Sequence, residues 1–290
     1  MGDYADFVGS DYPLATSSTP SVAVAVAFGC GGARGLAHIH IIEALDELGI
    51  RPVAIAGASI GSIMGAAMAA GMSGAEIRDY TLATVGNRPA VLNKIWSLRP
   101  PNMRSFRIGQ FNLERILRAF LPSTFPEDFS ELHIPLKVVT TDYYDQAEVV
   151  TEKGELFPVL AASAAIPAVF MPVKVGERVM IDGGIMNPVP YEHLAGLADI
   201  IIGIDVVGGP EGDGTHIPNR IESLFGAGQL TMQSNIALKL RLLAPQIFLR
   251  PSIGRTGVLD FLKARDILAM SAGVKDELKF ALDRVMTAKN

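Results

Sequence analysis

The chain has 290 residues, 49% of them hydrophobic and 19% charged, which excludes a disordered polymer and allows a large core in one domain or two small ones. Its 25 basic and 30 acidic side chains leave a net charge of −5, which excludes nucleic acid as a partner unless basic groups concentrate locally. A single cysteine, Cys30, excludes an internal disulfide and suits a reducing cytoplasm.

In chain order, residues 1–20 read as a flexible leader. They carry Asp3, Asp6 and Asp11 without Lys or Arg and lack an apolar core, unlike a secretory signal, and Asp6 stands where a myristoylation signal needs a hydroxyl residue. The expected location is cytoplasmic, with any membrane contact peripheral. Val22–Phe28 reads as a first buried strand, and Leu36–Leu48 as a helix stopped by Gly49. Val53–Ala56 reads as a second strand, followed by a helix over Ile60–Ala70. Pro52–Ala75 holds no charge and repeats glycine at Gly57, Gly61 and Gly65, as packed membrane helices do. Its Ala and Gly content and the short β-branched run after Arg51-Pro52 favour a buried strand and helix over a membrane span.

Leu136–Thr140 and Ile200–Asp205 are expected as further central strands, and Val173–Val175 with Val179–Ile181 as a hairpin around Gly176-Glu177. Thr256–Met286 reads as terminal helices with short breaks. Strands alternating with helices predict an α/β fold, its parallel sheet covered on both faces. No repeat or linker divides residues 21–290, so they are expected to form a single domain. Two stretches resist assignment and read as a lid or insertion over 86–135 and a mobile loop over 208–235.

Three local patterns carry chemistry. Gly57-Ala58-Ser59-Ile60-Gly61 is G-x-S-x-G between a strand and a helix, the setting in which a sharp turn exposes a nucleophilic hydroxyl; the plain alternative is that Ser59 caps the helix. Gly29-Cys30-Gly31-Gly32-Ala33-Arg34-Gly35 places unpaired backbone N–H groups at a helix start, either as anion donors or as a tight turn. Arg34 stands where a dinucleotide fingerprint starting at Gly29 needs glycine, and no Gly-Lys-Ser/Thr follows for a P-loop. Asp182-Gly183-Gly184 ends a strand in an acid, which alone is also an ordinary turn and gains weight only from the other two patterns.

Together these patterns resemble the patatin-like phospholipase family, from about Val22 to near the C-terminus and closest to small bacterial single-domain members. That family shows a Gly-Gly-Gly-x-Arg-Gly loop, a G-x-S-x-G elbow and an Asp-Gly-Gly or Asp-Gly-Ala box, here Cys30–Gly35, Gly57–Gly61 and Asp182–Gly184. Ala162-Ser163-Ala164-Ala165-Ile166-Pro167, Thr141-Asp142 and Asn187-Pro188-Val189-Pro190 match as well. The resemblance implies a three-layer α/β/α sandwich with a mainly parallel sheet, no cofactor and no catalytic metal. It implies a dyad of Ser59 as nucleophile and Asp182 as base, with backbone N–H groups of Gly31, Gly32, Ala33 and Arg34 as oxyanion donors. The implied reaction is hydrolysis of a lipid or small carboxylic ester, by phospholipase A or carboxylesterase chemistry, through an acyl-enzyme. Cys30 departs from the pattern by occupying the first glycine position, where its thiol is either reactive or an inert buried side chain.

Two other readings stay open. A Ser-His-Asp triad of an α/β-hydrolase would use Ser59, Asp182 or Asp205, and His193 or His216. A catalytically silent lipid-binding module would keep the fold without turnover, though intact Ser59 and Asp182 argue against it. His38, His40 and His133 receive no role. Gly86–Phe120 carries Arg88, Lys94, Arg99, Arg104, Arg107, Arg115 and Arg118 against Glu114, with Trp96 and three phenylalanines. It reads either as a lid docking on anionic membrane or as a solvated insertion with snorkelling arginines. No signal speaks for or against an oligomer.

Overall fold

The computed structural model describes residues 22–85, 91, 112–212, 214–215, 217–254 and 256–289. The expected leader, His216 and, apart from Val91, the basic insertion before Asn112 lie outside the described residues. Among the described residues eight strands form one sheet: β1 (Val24–Phe28), β2 (Ala54–Ala58), β3 (Leu136–Asp142), β4 (Ala147–Thr151), β5 (Val173–Val175), β6 (Arg178–Asp182), β7 (Ile200–Ile204) and β8 (Ile247–Leu249). The helices are α1 (His38–Glu47), α2 (Ile60–Ala69), α3 (Gly74–Val85), α4 (Leu113–Phe120), α5 (Leu156–Ser163), α6 (Arg220–Leu242), α7 (Ala264–Ser271) and α8 (Val274–Lys289).

The strand order is β5-β6-β3-β2-β1-β7-β8, with β4 also paired to β3. β3, β2, β1, β7 and β8 run parallel, while β4 and β6 pair with β3, and β5 with β6, antiparallel. Side chains alternate across a strand, and β1 shows how that builds two cores. Val24, Val26 and Phe28 join a large cluster with α1, α2, α5 and α8, whereas Ala25 and Ala27 join Ala54, Ala56 and Ala58 of β2 on the opposite face. On β1 and β2 that face presents only alanine methyl groups, and the Tyr191–Leu194 turn and Ile236 of α6 join the same cluster. The result is a three-layer α/β/α arrangement around a mainly parallel sheet, as expected.

One detail of register brings distant motifs together. β4 pairs with Val138–Asp142 along one edge of β3, so β2 and β6 must share the other edge. On that edge Val139 pairs with Ala58 of β2, and the next residue, Thr140, pairs with Asp182 of β6. A parallel strand ending at Ala58 and an antiparallel strand ending at Asp182 therefore meet end to end.

The charge-free stretch is β2 and α2 packed in the core, and among the described residues no helix is long and apolar enough to cross a membrane. The structure differs from the sequence reading over 208–235, which contains the first part of α6 rather than loop throughout. Asn219 accepts hydrogen bonds from the N–H groups of Ile221 and Glu222, and Glu222 accepts from the N–H of Asn219. That N-x-x-E capping box was the available sign of a helix start, hidden by the surrounding glycine and serine. Within the basic insertion, Arg118 pairs with Glu114 of its own helix at 2.9 Å and with Glu127 at 2.7 Å, and lies over the Phe157 ring.

Candidate active site

β2 turns into α2 at Ser59, whose φ of 55° and ψ of −128° lie outside the regions open to most side chains. The turn needs glycine on both sides. A Cβ on Gly57 would meet Ser62 Cα at 2.6 Å, and one on Gly61 would meet the Phe28 carbonyl oxygen at 2.1 Å. Ser59 makes no side-chain capping bond, which removes the plain capping reading. Its backbone N–H donates to Ser163 Oγ at 2.9 Å, and that hydroxyl donates to the Val139 carbonyl at 2.6 Å. Ser163 is completely buried and fixes the elbow to β3. Ser163 lies in the Ala162–Pro167 motif, but nothing in that motif specifies this contact.

The Ser59 hydroxyl donates to Asp182 Oδ2 at 2.6 Å, and Asp182 Oδ1 accepts from the Gly184 N–H at 2.8 Å. The Asp182 backbone is held by Ala165 and by the Thr141 hydroxyl, which donates to its carbonyl at 3.0 Å. Burial pushes the Asp182 carboxyl up to about 6, against the hydrogen bonds from Ser59 and Gly184. The two following glycines are required by space: a Cβ on Gly183 would meet the Val139 oxygen at 2.0 Å, and one on Gly184 would meet Cys30 Sγ at 2.4 Å.

The loop after β1 curls over the same site. Its N–H groups divide into two sets, because Gly29 donates to Ile204, Cys30 to Pro188 and Ala33 to the Val258 carbonyl at 2.8 Å. Ala33 was expected among the anion donors, and this bond occupies its N–H. Gly31 and Gly32 stand at the first positions of the 3-10 turn Gly32–Ala37, where N–H groups have no acceptor within the turn. Gly32 has a φ of +59°, and a Cβ on Gly31 would meet the Val206 oxygen at 2.2 Å. The Arg34 side chain, buried, donates from Nη1 to Val207 O at 2.7 Å and from Nε to Thr256 O at 2.8 Å, locking the loop to two others.

His38, assigned no role from sequence, is completely buried with Nε2 2.8 Å from the Gly29 carbonyl. Burial pushes its pKa down to about 4, so it is neutral and donates that Nε2–H. Burial, reinforced by Asp182 and Asp205, pushes the Cys30 thiol well up, which favours the inert reading. Its Sγ lies 3.5 Å from Met232 Sδ of α6.

Ser59, Asp182, Gly31 and Gly32 line one cavity of about 270 Å³, whose remaining lining is mostly apolar and includes Ile166, Leu224, Phe225 and Val258. A larger hollow of about 750 Å³ between α3 and residues 122–133 contains none of these groups.

The histidine of the triad reading sits elsewhere. His193 Nε2 is 2.6 Å from Glu148 Oε1, which holds its pKa above the usual imidazole range, and it does not line the Ser59 cavity. Asp205 is engaged by the Val207 N–H, Gln233 and Arg250. Glu148, Glu192 and His193 place ligand atoms within 4.8 Å of one another, but Lys239 Nζ lies 2.5 Å from Glu192 Oε2 and Asn187 bonds both glutamates. A resident ammonium already supplies the positive charge that a metal would bring.

An uncharacterized NTE family protein of Mycobacterium tuberculosis is 36% identical over 197 residues, covering 68% of this chain and 52% of the relative. Human patatin-like phospholipase domain-containing protein 6 is 31% identical over 187 residues, 63% of this chain and 13% of that protein. This chain thus spans about half the length of the mycobacterial relatives and far less of the human one. Among solved structures, VipD from Legionella pneumophila aligns with a TM-score of 0.48 at 14% identity, over 89% of this chain and 67% of that one. Residues 26–195, which contain the glycine loop, the elbow and the acid box, match the patatin-like phospholipase family, and the chain belongs to that family.

Proposed function

We propose that this chain, as one catalytic domain over residues 21–290, hydrolyses carboxylic esters of lipids through a Ser59–Asp182 dyad. The observation that carries the reading is the 2.6 Å hydrogen bond from the Ser59 hydroxyl to a buried carboxylate at the wall of an apolar cavity. With its pKa near 6, Asp182 is ionised at neutral pH yet basic enough to take the serine proton in the transition state. Ser59 Oγ attacks the ester carbonyl, and its proton passes to Asp182 and on to the departing alcohol. Gly31 and Gly32 N–H groups receive the developing oxyanion, each donor contributing roughly 3 kcal/mol by general precedent. Water, activated by the same carboxylate, then releases the acid from the acyl-enzyme. The apolar cavity suits an acyl chain, so lipid esters, phospholipids included, and small soluble esters are the substrate classes. The protein works in the cytoplasm with peripheral membrane contact, and Arg115 with the basic residues outside the described set would favour anionic headgroups.

Hydrolysis of p-nitrophenyl esters of graded chain length by wild type, Ser59→Ala, Asp182→Ala and His193→Ala tests this reading. The expected result is an active wild type and His193→Ala protein and loss of nearly all turnover in the other two. An inactive wild type would instead favour the lipid-binding module, and loss of activity in His193→Ala would overturn the dyad.

A further inference from the structure

α6 packs on the sheet side through Gly226, Gln229 and Ile236, which are buried. A second stripe of the same helix faces outward. Positions 221, 224, 228, 231, 235, 238 and 242 follow one another at alternating spacings of three and four and none is charged; Ile221, Leu224, Thr231, Leu238 and Leu242 are exposed, while Gly228 and Asn235 at its inner margin are half-buried, Asn235 Nδ2 donating to Met186 O at 2.7 Å. At its two ends stand Ile221, Leu224, Leu238 and Leu242, whose exposure runs from 57% at Leu224 to 78% at Leu242. So many large aliphatic groups in water on a single helix face mark an interaction surface.

The cavity indicates what covers it. Leu224 and Gly228 belong to the stripe and also line the Ser59 cavity, and Ile185, likewise exposed, lines it too. The stripe thus crosses the cavity wall, with one aliphatic pair toward each end of the helix. A protein seated on this face would close the cavity, whereas a lipid surface would bring acyl chains to it. Arg241 beside Leu242 adds positive charge at the C-terminal end, and Arg220 flanks Ile221 at the N-terminal end, where Glu222 offsets it.

We propose that this face of α6 is a lipid-docking surface, with the helix lying in the plane of a membrane or micelle. The aliphatic pairs enter the acyl region, and Arg220 and Arg241 meet headgroup phosphates. A lipid then passes from the surface into the Ser59 cavity without crossing water. The inference rests on the reading of that cavity as an acyl-ester site.

The test uses the full chain and vesicles of phosphatidylcholine containing phosphatidylglycerol, with Leu238→Ser/Leu242→Ser as the variant, since both residues lie away from the cavity. The expected result is vesicle co-sedimentation weakened about tenfold or more, from loss of the inserted apolar area. Hydrolysis of p-nitrophenyl butyrate in solution should stay unchanged. Unaltered vesicle binding by the variant overturns the proposal. So does a wild-type dimer that the variant dissociates without change in vesicle binding, because the face then belongs to a second copy. If wild type hydrolyses no ester yet the variant loses vesicle binding, the docking face stands and the acyl-hydrolase reading fails.

Discussion

Ser59 Oγ lies 2.6 Å from Asp182 Oδ2 because β2 and β6 abut along one edge of β3, with Val139 holding Ala58 and Thr140 holding Asp182. The two side chains are separated by 123 positions of sequence but anchored by adjacent residues of a single strand. Their separation is therefore set by rigid backbone pairing rather than by loops.

Ser59 occupies a backbone conformation that costs roughly 1–3 kcal/mol for a residue with a Cβ. Ser59→Gly relieves it and Ser59→Ala does not. Both should be inactive, but the glycine variant should unfold at higher urea by about 1 kcal/mol, after allowing for glycine's greater entropy in the unfolded chain. Equal stability of the two would mean that the elbow stores no strain.

Asp182 predicts opposite effects of pH on activity and stability. Activity should fall as pH drops through about 6, since the base is then protonated. The folded-state pKa lies above the unfolded value of 3.8, so the folded protein carries the full penalty of a buried charge above pH 6 and none below about 4. Asp182→Asn can still accept from the Gly184 N–H through its carbonyl oxygen and donate from its amide nitrogen to Ser59 Oγ, reversing that bond without the charge, and should be more stable than wild type at pH 8 by about 3 kcal/mol. The difference should vanish near pH 4 in thermal unfolding, and a stability gap independent of pH would contradict the shift.

Ser163→Ala strips the Ser59 N–H of its acceptor and the Val139 carbonyl of a donor inside the core. A loss of about 1–3 kcal/mol in urea unfolding is expected. If the residue positions the elbow, kcat should fall while KM stays nearly constant. A raised KM with unchanged kcat would place its effect in binding instead.

His38 has a folded-state pKa of about 4 against 6.5 unfolded, so its contribution is fully present above pH 6.5 and is lost as pH falls toward 4. The size is about 3 kcal/mol, by the same conversion. His38→Gln supplies an amide donor toward Gly29 O that does not titrate. Urea unfolding at pH 7 and pH 5 should show a smaller acid loss in the variant than in wild type; identical losses would rule the histidine out.

The sequence by itself determined the family, the fold class and three local shapes. Gly57 and Gly61 around Ser59, Gly31 and Gly32 after β1, and Gly183 after Asp182 are legible because each turn brings backbone within reach of any Cβ, and only glycine survives there. Gly49 likewise closes α1 with a φ of +66°. Short buried strands such as Val24–Phe28 showed as apolar runs. Only the tertiary structure decided which groups those shapes present to one another. The Ala33 N–H is taken by Val258, the Ser59 N–H by Ser163 and the Gly29 carbonyl by His38, all across long chain separations or between elements with no shared pattern. The outward stripe of α6 was hidden for a related reason: its spacing resides in the sequence, but whether Leu238 and Leu242 meet core or water depends on which helix face the alanine side of the sheet accepts. Local backbone sterics are written residue by residue, whereas hydrogen-bond partners and burial are properties of the packed chain.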